Sequence, residues 1–216
     1  MSEVKSAVAS VNTRIFFSKT DRAKYISHLD LYGVVQRSIK RAKLPVWYTE
    51  GFNPRMYVQF MLPLSLGQEG LREAADFRLL EEVPHFEVTE RLNLALPQDI
   101  RVVETSVPVK KNTDIASAEY EITAEIDNAK FLEFTNLEHI MTEKKTKRGI
   151  TEIDLKPCIL SVSAGEKIVI NLPAGNDFNI NPQLVLSAFE KYTSEKIKRQ
   201  RIVRTKIFCA DGSEFV

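Results

Sequence analysis

An α+β fold of two tandem units is predicted by three observations. Apolar periodicity reads strand, helix, strand, strand, helix, strand over residues 1–109, and the theme returns over residues 110–216. Between the two, residues 107–118 (VPVKKNTDIASA) are polar and irregular, which marks a boundary. A chain of 216 residues also accommodates two units of about 100 residues each. The order β-α-β-β-α-β is the split βαβ, or ferredoxin-like, arrangement, and the second unit reads with one additional strand.

In the first unit, residues 13–19 (TRIFFSK) are a short apolar run with aromatics and predict a strand. Ser27 is placed to cap the helix that follows. Asp30 sits three residues on, in the capping-box position, and Ile26 with Leu31 makes the matching hydrophobic staple. Leu31, Val35, Ile39 and Ala42 recur at helical spacing and predict a buried stripe, while Arg37, Lys40 and Arg41 fall on another face. Pro45 is the predicted stop. Residues 46–55 (VWYTEGFNPR) read as extended or looped. Gly51 supplies an unusual dihedral there, and Asn53-Pro54 favours a turn. Strands over 56–62 and 73–80 form a predicted hairpin. Val88, Leu92 and Leu96 then mark a helix ended by Pro97, and residues 100–109 close the unit as a strand.

In the second unit Tyr120, Ile122, Ala124 and Ile126 alternate along a strand, and residues 128–137 predict a short helix. Strands follow over 139–147 and 151–163, around a turn at Lys147, Arg148 and Gly149, and another over 167–172. Asn181-Pro182 opens a helix with Leu184, Ala188 and Tyr192 on one face, and residues 197–209 make the last strand.

The chain is 44% hydrophobic and 27% charged, with a formal net charge of +1, so no global field points to nucleic acid or membrane. No apolar run approaches the ~20 residues of a membrane span, and the N-terminus lacks the apolar stretch of a secretory signal. A cytoplasmic location without a membrane partner is the expectation. Cys158 and Cys209 lie far apart and outside any CxxC pattern, which fits a reducing compartment and predicts neither a disulfide framework nor a metal site. Charge is nonetheless uneven. Residues 14–60 carry nine basic and three acidic side chains, a local balance of +6.

That basic stretch holds the candidate binding residues. Arg37, Lys40 and Arg41, with Lys43 and Arg55 near in sequence, suit phosphate contacts, and Trp47, Tyr48, Phe52 and Tyr57 interleave with them as surfaces on which bases stack. Asn53 completes the turn that positions them. The alternative is a solvated helix face with its aromatics in the core. His28 and Asp30 invite a catalytic reading, but two residues apart on a helix is about 200°, so they diverge. His28 beside a positive helix end is expected to be neutral and able to act as a base. Glu73 and Asp76 are the other candidate acids. Three apart on a strand, they point to opposite faces. No Walker A, GxGxxG, HExxH or GxSxG motif is present.

The string ISHLD, the basic helix, then LPVWYTEGFNPR and LPLSLG, resembles the radical-SAM-linked protein family. That family is of unknown biochemical function, and its members are neighbours of, or fused to, radical S-adenosylmethionine proteins. The resemblance is strongest over residues 27–67, continues to Glu73 and Asp76, and is weaker near RIVRTKIF at 201–208. It implies a radical SAM protein as partner. The CxxxCxxC motif is missing here, so the iron–sulfur cluster and S-adenosylmethionine are expected only on that partner, and no cofactor on this chain. The expected function is a non-catalytic module that presents RNA or another anionic substrate. The alternatives are an RNA-modifying or RNA-processing enzyme with its site near His28 and the GFNP loop, and a protein-assembly scaffold.

Overall fold

The computed structural model describes residues 10–146, 149–175 and 178–216. The expected turn residues Lys147 and Arg148 lie outside the described residues. The fold is mixed α+β. Its strands pair mostly antiparallel and, among the described residues, it has four α-helices. The chain divides into two units, one of residues up to 66 with 72–109, the other of 67–71 with 110–216.

In the first unit β1 (Val11–Lys19), β2 (Val58–Phe60), β3 (Glu69–Leu79) and β4 (Ile100–Ser106) lie in the order β4-β1-β3-β2, with α1 (His28–Arg41) after β1 and α2 (His85–Ala95) after β3. The first three residues of β3 are counted in the second unit. Strand alternation sets the faces. Ile15 and Phe17 of β1, Ala75, Phe77 and Leu79 of β3, and Ile100 and Val102 of β4 face the helices. There they meet Leu31, Val35 and Ile39 of α1 and Val88 and Leu92 of α2. Each fully buried apolar side chain of this size contributes roughly 2 kcal/mol.

The predicted stripe of α1 is thus the buried one, with Ser38 joining it and bonding Ala95 O at 3.2 Å. The helix stops earlier than Pro45 requires. Ala42 closes it, Lys43 turns left-handed at φ 51°, and Lys43 N bonds Lys40 O. A left-handed C-terminal residue ends the helix before the proline acts.

The second unit contains β5 (Ile115–Glu125), α3 (Asn128–Thr135), β6 (Met141–Thr146), β7 (Gly149–Asp154), β8 (Ser161–Ala164), β9 (Ile168–Pro173), α4 (Pro182–Thr193) and β10 (Lys198–Cys209). Its sheet runs β10-β5-β9-β8, and β6 with β7 forms a separate two-stranded ribbon. Glu69 and Gly70 lie parallel to Val203 and Arg204 on the other side of β10. Two sequence expectations are corrected here. The single strand over 151–163 is two strands, because Lys156-Pro157-Cys158 forms a 3-10 turn at a proline that has no N–H for a ladder. The unit therefore has two strands beyond the predicted order of the first, not one. The buried face of α4 is Val185, Leu186, Ala188 and Phe189; Leu184 lies beside it and Tyr192 is half exposed. Phe189 decides the rotation by packing edge-on to Phe131 and Phe134 of α3, with ring centroids 5.1 and 5.5 Å away.

Candidate functional site

Ser27 caps the N-terminus of α1 as expected, but Asp30 does not close a capping box, because its carboxylate takes the Ser27 hydroxyl and not the Ser27 backbone N–H. Ser27 Oγ accepts from Asp30 N at 3.1 Å and donates to the Asp30 carboxylate at 2.7 Å. Asp30 is therefore engaged in the cap. His28 turns to Phe60 of β2, edge to face at 5.1 Å. Burial holds its imidazole below the usual histidine range, and the Lys19 ammonium adds to the effect. Lys19 sits at the end of β1, 1% exposed, and donates to Ile26 O at 3.4 Å. His28 thus packs on an aromatic ring in surroundings that favour its neutral form.

Residues 46–60 build a hairpin on the edge of β3. Val46 bridges Leu79, Trp47 N bonds Arg78 O, and Leu80 N bonds Pro45 O. Tyr48 bridges Met56, and Thr49 and Arg55 close the turn: Thr49 N donates to Arg55 O and Arg55 N to Thr49 Oγ1, each at 2.9 Å. The tip then projects. Every residue from 50 to 55 is exposed, and Phe52 is fully so. Gly51 takes φ 124°, a conformation that suits glycine, as its place before the turn predicts.

α1 lies alongside this hairpin, and three contacts give the direction. His28 meets Phe60, Gln36 Nε2 donates to Met56 O, and Lys40 Nζ lies 5.9 Å from the centre of the Tyr48 ring. The C-terminal half of the helix is at the tip end. His28 and Lys40 are separated by twelve residues, about 18 Å along the axis. Tyr48 at the base of the turn therefore meets Lys40, with Phe52, Asn53 and Arg55 on the exposed tip beyond it, while His28 stands at the far end of the helix. The exposed Arg37 folds back over Gly33: a Cβ added there would lie 3.0 Å from Arg37 Nη1. Arg37, Lys40 and Arg55 have no carboxylate within ion-pair distance among the described residues. Arg41 is engaged differently, donating to Ser38 Oγ at 3.1 Å and to Ala95 O at 2.6 Å at the end of α2. That is a helix C-terminal cap supplied in space.

Glu73 and Asp76 do point apart. Glu73 is buried on the helix side of β3, and Asp76 on the other side receives the Arg14 guanidinium through two bonds. Trp47, alternating with Tyr48, turns to this second face. There it meets a residue that the sequence reading passed over. The Arg78 guanidinium lies 5.3 Å from the centre of the Trp47 ring and 4.9 Å from that of Tyr57. The alternation of β3, with Arg72, Asp76 and Arg78 at every second or fourth place, was the available signal. Among the described residues no three of His, Cys, Asp or Glu stand together as a metal site.

A family model described as an uncharacterized protein conserved in bacteria (DUF2344) matches residues 12–188. The chain belongs to that family. The DUF2344 match spans every candidate residue from His28 to Asp76 and carries no activity or partner with it. Among solved structures, the chain is similar to an unknown protein from Galdieria sulphuraria, at 11% identity and a TM-score of 0.30, covering 91% of this chain and 99% of that one. None of the curated proteins compared matches it.

Proposed function

We propose that this DUF2344 chain is a non-catalytic binding module that takes single-stranded RNA on the hairpin tip and the adjoining face of α1, and presents it to a radical S-adenosylmethionine protein. The observation that carries the RNA reading is Phe52, fully exposed at the tip of a hairpin whose base stands beside Lys40 and Tyr48. An aromatic ring held in water next to cations is a stacking platform for a base, with the cations placed for the backbone. Arg37, Lys40 and Arg55 supply that charge. The partner rests on the resemblance of the segment from ISHLD to LPLSLG.

The strand orders support the tandem ferredoxin-like reading. Both units order their sheets as last, first, third, second strand, once the β6–β7 ribbon is taken as an insertion. The enzyme alternative loses support from geometry, since it needs His28 and the GFNP turn together and they lie at opposite ends of α1. Fluorescence anisotropy with a labelled oligouridylate at low salt tests the reading. Wild type binds, and Phe52→Ala binds roughly tenfold more weakly, the loss of one stacked base. Absence of binding in the wild type overturns it.

A further inference from the structure

Three arginines project on the face of the first unit's sheet away from its helices. Two are matched with carboxylates. Arg14 forks onto Asp76 at 2.7 and 2.9 Å, and Arg72 reaches Glu104 at 2.6 Å while lying over the Phe16 ring. Arg78 is not. Its side chain has no hydrogen bond and no ion pair among the described residues, and its enclosed Nε has no partner at all there. Its neighbours are the Trp47 and Tyr57 rings, and Tyr57 is itself steadied by donating to Gln59 Oε1 at 2.5 Å. Trp47, Tyr57 and Arg78 are all partly exposed.

A guanidinium flanked by two rings loses the freedom of its long side chain and keeps its N–H donors unused. That is the condition for recognising an oxyanion: the orientation is fixed beforehand and the planar fork matches two oxygens. We propose that Arg78, set by Trp47 and Tyr57, is a phosphate-binding site at the partly exposed end of the sheet face away from the helices, and that it holds a phosphodiester of the RNA bound at the hairpin tip. This rests on the RNA reading above for the identity of the ligand, not for the site. The alternation of Trp47 and Tyr48 gives the hairpin one aromatic for each face, so a strand passing its edge meets a cation and a ring on both sides.

Trp47 is the chain's one tryptophan, so its fluorescence reports on this site alone. The full chain is titrated with oligouridylate and, separately, with inorganic phosphate, following Trp47 emission and, for the RNA, anisotropy. Both ligands are expected to change the emission saturably. Arg78→Gln abolishes the change. Arg78→Lys, which keeps the charge and much of the packing, weakens phosphate and RNA at least about tenfold because the fork is lost. If RNA binds and is lost in Phe52→Ala while Trp47 emission stays constant and Arg78→Lys binds like wild type, the site is overturned and the RNA reading stands. If phosphate shifts the emission through Arg78 but RNA does not bind, the site stands and the RNA reading fails. Should Arg78→Gln not fold, the Arg78→Lys comparison still decides.

Discussion

Arg14 and Asp76 face each other across β1 and β3, and the guanidinium holds the carboxylate through Nε at 2.7 Å and Nη2 at 2.9 Å. The arginine is 1% exposed, and Met61 Sδ closes over it at 3.4 Å from Nη2. An acid that the sequence offered as catalytic is the counter-charge of a buried cation. Removing it leaves that charge in a poorly solvated place. Asp76→Ala is expected to cost about 3 kcal/mol in chemical denaturation. A loss below about 0.5 kcal/mol contradicts the assignment.

Gly33 stands inside α1, where glycine costs about 0.5–1 kcal/mol relative to alanine. The three atoms nearest a Cβ there all belong to the far end of Arg37, an exposed side chain. Gly33→Ala is therefore expected to stabilise the first unit by roughly that amount, read as a rise in the denaturation midpoint. Destabilisation would mean that Arg37 cannot give way.

His28 titrates below the usual histidine range, through burial first and the Lys19 charge second. The unfolded chain then binds the proton more tightly than the folded one. Stability is complete above the ordinary histidine value and falls as pH drops through it toward the folded value. Two-dimensional NMR of the imidazole is expected to show the lowered pKa, and Lys19→Met to raise it in part. An unshifted His28 contradicts the packing against Phe60.

Asp154, at the end of β7, accepts from His139 Nδ1 at 2.8 Å, Ile140 N at 2.8 Å and Lys156 N at 2.9 Å. These bonds hold its pKa at about 2. Its contribution is present above the ordinary carboxylate range and is lost as pH falls through about 2. In Asp154→Asn the part of the acid-side slope due to this group is expected to disappear. An identical pH profile in the variant would show that the carboxylate is not held.

Local rules carried far in this chain. The Ser27 cap, the stripe of Leu31, Val35 and Ile39, the glycine dihedral at Gly51, and the Asn181-Pro182 helix start are all set by neighbours in sequence, and a pattern read along the chain reaches them. Features set by neighbours in space were not legible. Arg41 reads as part of a cationic stripe, yet Ala95 O, 54 residues away, claims its guanidinium. Phe189 rotates α4 because Phe131 and Phe134 wait on another helix. Arg78 looked unremarkable in EAADFRLL, since its significance depends on Trp47 and Tyr57 arriving beside it through the hairpin.

The salt dependence of oligouridylate binding tests the central claim most directly. For single strands log K falls with log salt by about 0.7 per phosphate neutralised. With Arg37, Lys40, Arg55 and Arg78 engaged the slope is expected near −3, and in the Arg37→Ala, Lys40→Ala double variant it is shallower by about 1.4. Binding that is absent at low salt, or a slope that the double variant leaves unchanged, contradicts the account.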